Sequence, residues 1–176
     1  MIGFLKELVR YFETHHVQYM LSGSVAMSLY TQPRFTRDYD FIVHLNNSDI
    51  PGLVSYFREG YYCDEDSIKE AIRIKGMFNI IDHKTNYKAD IVILKDEEYR
   101  KTEFDRRRKV KFLDMMIDIV SPEDLLISKL IWIQEIQSSI QMEDIRILSA
   151  NNDLDRDYIN RWIRKLKLNT FGLISL

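Results

Sequence analysis

The chain has 176 residues, of which 45% are hydrophobic and 30% are charged, and this balance is typical of one globular domain, alone or with a short helical extension. A formal net charge of −2 excludes a global attraction to nucleic acid or anionic membranes, so any polyanion site has to be local. The single cysteine, Cys63, excludes an intramolecular disulfide, and no stretch approaches the ~20 apolar residues of a membrane span. Charged residues at Lys6, Glu7 and Arg10 also argue against a signal peptide. We therefore expect a soluble, cytoplasmic protein.

Helical and strand patterns alternate along the first part of the chain. They predict a helix over 3–15, a strand over 17–21, a tight turn at Ser22-Gly23-Ser24, a short helix over 25–30 and a strand over 39–45.

The later part continues this alternation and then becomes helical. The patterns predict helices over 48–57 and 64–75, paired strands over 77–81 and 87–94, and a last strand over 115–120. Ser121-Pro122-Glu123-Asp124 is a helix start, with Ser as N-cap and Pro at the first helical position. The predicted organisation is an α/β module over 1–120, followed by a helical subdomain over 121–176.

Gly23 and Ser24 lie between an apolar strand and a helix. Glycine removes the Cβ that would block close backbone approach, and unpaired N–H groups at a helix start attract phosphate. Many strand–helix turns contain Gly-Ser for structural reasons alone, so this feature by itself is weak.

Three aspartates stand in strands that are otherwise apolar. Asp38 and Asp40 open the strand Phe41-Ile42-Val43, and residues two apart on a strand share one face. Asp90 lies in a second apolar strand, where an acid is unexpected. Each alone is also typical of an exposed edge or a helix cap. A cluster of all three would raise its own pKa values or bind a cation, for which Mg²⁺ is the natural occupant.

Together these pieces resemble the nucleotidyltransferase superfamily, the DNA polymerase β-like fold. The matching segments are Leu21-Ser22-Gly23-Ser24, Asp38-Tyr39-Asp40-Phe41-Ile42-Val43 and Ala89-Asp90-Ile91. The surroundings are most similar to small prokaryotic nucleotidyltransferases akin to the toxins of abortive-infection toxin–antitoxin pairs, on the segments Pro33-Arg34-Phe35-Thr36-Arg37 and Ser121-Pro122-Glu123-Asp124-Leu125.

The resemblance implies a mixed β-sheet flanked by helices, with a C-terminal helical extension. It also implies an enzyme that moves a nucleoside monophosphate from a nucleoside triphosphate to an acceptor. Asp38, Asp40 and Asp90 would then be catalytic and bind Mg²⁺ or Mn²⁺, and Gly23 and Ser24 would hold the β- and γ-phosphates. An antitoxin protein is an implied partner, and a membrane is not.

Two basic residues have two interpretations each. Arg37, like Arg34, either clamps the triphosphate or pairs with Asp38 or a neighbour. Lys129 lies in an apolar helix, where an unpaired ammonium is costly, so it reaches either the nucleotide or an acid such as Asp144.

The basic segment over 100–111 is interpreted either as a site for an RNA acceptor such as tRNA or as a solvated loop before a strand. Trp132 and Trp162 fall at core spacing and are predicted to pack. Three functions remain open. They are nucleotidyl transfer to RNA, protein or a small molecule; a non-catalytic protein of the same fold that binds a nucleotide or a partner; and a purely structural partner in a toxin–antitoxin operon.

Overall fold

Seven strands form one mixed β-sheet in the part of the chain that the computed structural model describes, namely residues 2–32, 36–112 and 114–174. The strands are β1 (Gln18–Ser22), β2 (Asp38–His44), β3 (Tyr61–Cys63), β4 (Met77–Asp82), β5 (Lys88–Ile93), β6 (Arg108–Phe112) and β7 (Met115–Ile119). Their order is β3-β4-β5-β2-β1-β7-β6. β2 is parallel to β5 and β1 to β7, whereas the other neighbours are antiparallel. The predicted mixed sheet is confirmed.

Helices flank this sheet. They are α1 (Ile2–Thr14), α2 (Gly23–Met27), α3 (Ile50–Tyr56), α4 (Glu65–Ile74), α5 (Glu98–Asp105), α6 (Pro122–Glu135), α7 (Ser139–Ser149) and α8 (Arg156–Leu166). A 3-10 turn over Asn47–Asp49 leads into α3. Within the described residues, no helix has both the length and the apolar character that crossing a membrane requires.

Local sequence signals explain where the principal helices begin and end. At the start of α6, the Ser121 side chain accepts a hydrogen bond from the backbone N–H of Asp124, and Pro122 occupies the first turn. α4 begins at Asp64, which caps the N–H of Ser67, and ends at Lys75 in the left-handed region with φ 53°. Both helices occupy the regions that the sequence predicts.

Strand alternation separates two hydrophobic cores. On β2, the side chains of Tyr39, Phe41 and Val43 join the core beneath α1, α3 and α4, whereas Ile42 packs towards a second core formed largely by α6–α8. The second core also receives Met20 from β1 and residues from α2 and α5. A face of β2 thus looks towards the C-terminal helices. The division at residue 120 stays a prediction.

The structure corrects the interpretation of residues 100–111 as a solvated loop, because most of them belong to α5 and β6. Tyr99 and Phe104 of α5 are buried in the second core. The apolar residues are too widely spaced among charges to produce a strong helical period, so tertiary packing decides this segment.

Candidate active site

A row of polar side chains crosses four neighbouring strands. Ser22 of β1 pairs with Asp40 of β2, Asp40 pairs with Asp90 of β5, and Asp90 pairs with Asn79 of β4. Residues opposite one another in register direct their side chains to the same face of a sheet. The neighbours of Asp40 along β2, Tyr39 and Phe41, are buried on the other face. The row therefore lies on the face that looks towards the second core.

Asp38 joins this row because it lies two residues before Asp40 on the same strand. Asp38 is exposed, and Asp40 is half-buried. The pKa of Asp40 is raised, first by burial and then by the negative charges of Asp90 and Asp38, although Lys129 and Lys88 act in the opposite direction. The three aspartates thus interact electrostatically, as a shared cation site requires.

Asp90 is engaged by its neighbours. Asn79 Nδ2 donates to Asp90 Oδ1 at 2.5 Å, and the Lys88 ammonium lies 2.9 Å from Oδ1 and 3.0 Å from Oδ2. Among the described residues, no group of three or more histidine, cysteine or acidic side chains is arranged to hold a metal ion. Asp38 and Asp40 fit a divalent cation by their chemistry, since they are neighbouring oxygen donors. Asp90 would complete such a site as a third oxygen donor, and its carboxylate would then have to share or release its contact with Lys88.

Gly23 packs directly against Asp40. Its φ is +62°, and a Cβ added to it would lie 1.8 Å from Oδ2 of Asp40. Glycine is required here both because L residues rarely adopt this φ and because the carboxylate fills the space of a side chain. The turn from β1 to α2 thereby brings main chain and Ser24 beside the aspartates.

Lys129 of α6 takes the second of its two predicted interpretations. It is buried, and its Nζ donates to Asp144 Oδ2 at 2.7 Å and to Gln141 Oε1 at 2.8 Å. Lys129 also lowers the pKa of Asp40 by its positive charge, and both residues line the same cleft. Its pairing with Asp144 is shown, and contact with a nucleotide stays a prediction.

A cleft of about 430 Å³ opens at one end of the row, where Ser22 and Asp40 line it, whereas Asp38 and Asp90 are not among its described lining residues. Its walls come from the β1–α2 turn, the cleft-facing residues of β2 and β5, helix α5 and helix α6, and include Gly23, Ser24, Asp40, Lys95, Arg100, Glu103, Ser128, Lys129, Trp132 and Glu135. This volume is within the range of small-molecule and nucleotide sites.

Arg37 is not among the described residues that line the cleft. Arg37 is exposed, and its carbonyl accepts a hydrogen bond from the backbone N–H of Lys88 at 3.2 Å. Its predicted contact with a nucleotide stays a prediction. Arg34 lies outside the described residues.

Two cleft residues were not predicted from the sequence. Arg100 and Glu103 stood out only as part of a charged stretch, whereas the structure places both in the cleft wall. The prediction that Trp132 packs in the core is wrong, because it is 58% exposed and lines the cleft. Trp162 does pack, edge-on against Tyr99 with 5.0 Å between ring centroids.

Acidic neighbours neutralise most of the basic segment over 100–111. Its ion pairs are Arg100–Glu103, Lys101–Asp96, Arg106–Asp124, Arg108–Glu123 and Lys109–Asp118. Arg107 donates to the carbonyl of Phe104 and lies over its ring. Paired cations release fewer counterions from a polyanion, so these contacts weaken the case for an RNA site.

Solved structures with a similar fold include nucleotidyltransferases and a nucleotidyltransferase-like protein. The antibiotic-resistance factor ANT(2'')-Ia matches with a TM-score of 0.65 at 10% identity, over 94% of this chain and 90% of that chain. The lincosamide antibiotic adenylyltransferase LnuA, in a lincomycin-bound crystal structure, matches with a TM-score of 0.57 at 17% identity, over 83% and 94%. An antigenic nucleotidyltransferase-like protein from Paracoccidioides brasiliensis matches with a TM-score of 0.54 at 14% identity, over 90% and 84%.

The chain therefore has the nucleotidyltransferase fold, as its sequence predicts. No family model and no curated protein sequence matches it. The finer resemblance to abortive-infection toxins stays a prediction.

Proposed function

We propose that this protein is a metal-dependent nucleotidyltransferase, which moves a nucleoside monophosphate from a nucleoside triphosphate to an acceptor. The observation that carries the proposal is the register that places Asp40 of β2 beside Asp90 of β5, with the β1–α2 turn against the Asp40 carboxylate. Solved structures that share this fold match 83% to 94% of this chain, and one of them is the lincosamide antibiotic adenylyltransferase LnuA.

Each part of the row has a role in this proposal. Asp38 and Asp40, joined by Asp90 after it releases Lys88, would hold Mg²⁺ or Mn²⁺. Such a cation, when bound, neutralises phosphate oxygens and lowers the pKa of an attacking hydroxyl. The main chain at Gly23 and Ser24 holds the β- and γ-phosphates, and Lys129 adds positive charge near Asp40. Catalysis then comes mostly from positioning and charge neutralisation.

The acceptor can be RNA, a protein or a small molecule, and the geometry favours a small molecule. The cleft is of small-molecule size, and the basic segment that would suit RNA is largely paired internally. LnuA is bound to lincomycin, a small molecule, in its crystal structure. The proposal that the protein is a toxin with an antitoxin partner rests on sequence resemblance.

Transfer can be tested with the four labelled nucleoside triphosphates, Mg²⁺ and separate pools of tRNA, protein and small metabolites. We expect label to pass to one pool, and transfer to fall at least about a hundredfold in Asp40→Asn. A matched control is Asp66→Asn, which alters an aspartate that is 92% exposed on α4 and should leave transfer intact. Equal labelling by the wild type and Asp40→Asn in every pool would contradict the proposal.

A second candidate is a non-catalytic protein of the same fold that binds a nucleotide or a partner. The engagement of Asp90 by Lys88 and Asn79 favours it, because the third carboxylate already has partners. Calorimetric titration separates the two candidates: Mg²⁺-dependent binding of a triphosphate without turnover supports the second, whereas turnover removes it.

A further inference from the structure

One face of α6 builds the outer wall of the cleft. Leu125, Ser128, Lys129, Trp132 and Glu135 all line it, and they recur at the three- and four-residue spacing that places side chains on one helix face. Lys129, in the middle of this face, is close enough to Asp40 to lower the pKa of that carboxyl. Trp132 lies one turn from Ser128, farther along the helix.

Trp132 differs from the other large apolar residues of α6. Leu125, Leu126, Leu130 and Ile133 are no more than 1% exposed, whereas Trp132 is 58% exposed. An indole carries a large flat surface that is costly to leave in water, and it binds other flat rings by stacking. Exposure of this large indole on the cleft-lining face of α6 indicates a ligand-binding surface.

Arg100 projects from α5 into the same cleft and is held there by a buried network. Arg100 Nη1 donates to Glu103 Oε2 at 2.8 Å and to Ser128 Oγ at 2.7 Å. The other oxygen of Glu103 accepts from Ser128 Oγ at 2.6 Å. Glu103 is fully buried, with 0% exposure, and the Arg100 side chain is 22% exposed.

This network orients one edge of the guanidinium. The hydrogen bonds that Arg100 makes with other described residues all use Nη1, so the donors at Nε and Nη2 are available to a ligand in the cleft. Guanidinium donors in a fixed fork recognise a pair of acceptor atoms on a planar group.

The charge of the cleft wall indicates what kind of ligand fits. It contains three acids, Asp40, Glu103 and Glu135, and three bases, Lys95, Arg100 and Lys129. Since Glu103 pairs with Arg100 and Lys129 pairs with Asp144, the wall beyond the aspartate row has no strong excess of either charge. This part of the cleft therefore favours an uncharged portion of a ligand over a strongly charged one.

We propose that Trp132 and Arg100 form a ring-binding subsite, in which the indole stacks on a planar ring of the substrate and Arg100 donates to acceptor atoms on its edge. This inference rests on the proposed function, because the ring belongs either to the nucleobase of the triphosphate or to the acceptor molecule. Glu103 and Ser128 are positioning residues that fix the guanidinium.

Tryptophan fluorescence can test this subsite directly. In a Trp162→Phe protein, Trp132 is the remaining tryptophan, so its emission reports on the cleft. The probes are MgATP, MgGTP, MgCTP and MgUTP, inorganic tripolyphosphate with Mg²⁺, and three neutral ring compounds: inosine, 4-hydroxybenzamide and guaiacol. Binding of each is measured in parallel by calorimetry.

A nucleobase in the subsite predicts saturable quenching by at least one nucleotide and none by tripolyphosphate, which has no ring. An acceptor ring predicts quenching by a neutral ring compound, while nucleotides and tripolyphosphate bind without quenching. In either case Trp132→Ala should weaken binding of the quenching ligand about tenfold or more and leave tripolyphosphate unaffected. Ile147→Ala, at an apolar residue 43% exposed on α7, is the matched control.

Arg100 has to be tested in a variant that still folds, because removing Arg100 alone leaves the Glu103 carboxylate buried without a counter-ion. The double variant Arg100→Met with Glu103→Gln removes both charges, and its thermal melt verifies folding. We expect the double variant to bind the quenching ligand about tenfold more weakly than the wild type does. Absence of quenching by every ring probe, or unchanged affinity in this folded variant, would overturn the subsite. The proposed function is judged separately: tripolyphosphate binding that Asp40→Asn abolishes supports it even when the subsite fails.

Discussion

Gly23 and Asp40 are in such close contact that the space of a glycine Cβ is occupied by the aspartate carboxylate, 1.8 Å from where that atom would lie. The β1–α2 turn and strand β2 therefore fix each other's positions. A larger residue in place of Gly23 would require the Asp40 side chain to move.

Gly23→Ala should reduce both stability and nucleotide binding, since the new methyl group displaces the Asp40 carboxylate and the backbone keeps a φ of +62°. The φ alone costs an alanine about 1–2 kcal/mol in the free energy of unfolding. Urea unfolding and calorimetric titration of MgATP measure the two effects. Gly60→Ala is the control, because Gly60 has φ +84° with no atom within 4 Å of the new Cβ. It should lose stability but keep binding, and equal loss of binding in both variants would contradict a local effect at Asp40.

Asp40→Asn should raise the melting temperature while it abolishes metal and triphosphate binding. Burial and the charges of Asp90 and Asp38 raise the Asp40 pKa above its ordinary value of 3.8. Ionisation therefore opposes folding, and the stability of the wild type falls as pH rises from about 4 through the raised pKa. Asparagine does not ionise, so the variant should not lose this stability. The difference between the melting temperatures of the variant and the wild type should therefore grow with increasing pH. Mg²⁺ should raise the melting temperature of the wild type alone; a variant less stable than the wild type at pH 8 would show that the carboxylate stabilises the fold.

Lys129→Met should destabilise the fold by about 3–5 kcal/mol, because it leaves the buried Asp144 carboxylate without its ammonium partner. Lys129→Met combined with Asp144→Leu should recover most of this loss, as chemical denaturation can measure. The double variant also decides the role of Lys129 in the cleft. Recovered stability with MgATP binding still weakened indicates contact with the nucleotide, whereas full recovery of both indicates a structural ion pair alone.

Cys63 should react slowly with iodoacetamide in the native state. Burial, followed by the charge of Asp64, raises the pKa of its thiol to about 11 from 9.0, so the thiolate is about a hundredfold scarcer at pH 8 than in the unfolded chain. The alkylation rate should rise about tenfold per pH unit up to about pH 11, and urea should remove the protection. Rapid native alkylation at pH 7 would contradict the raised pKa.

Much of the fold follows from local sequence patterns. The helix start at Ser121-Pro122 and the two-residue spacing of Asp38 and Asp40 are confirmed, because capping and strand alternation depend on neighbours in the sequence. Asp38, Asp40 and Asp90 lie on one face of the sheet because their strands are in register, whereas their joint binding of a metal ion stays a prediction.

Other features depend on contacts between distant segments, which a single sequence does not reveal. The engagement of Asp90 by Asn79 requires the register of β4 against β5. Helix α5 is stabilised by burial against α6 and α8 rather than by its own periodicity, so the Arg100–Glu103 pair was hidden in a charged stretch. Trp132 illustrates a related difficulty. Helical spacing predicts which residues share a helix face, but it does not show whether another element covers that face.

Lys88 gives Asp90 a counter-ion that is covalently part of the same strand. We therefore expect Asp90 not to need added divalent metal for the protein to fold, since its carboxylate already has a cationic partner. We also expect affinity for the metal alone to be modest, because a tethered ammonium is always present to compete. A triphosphate would shift this competition by offering Lys88 new anionic partners, so metal and nucleotide should bind cooperatively.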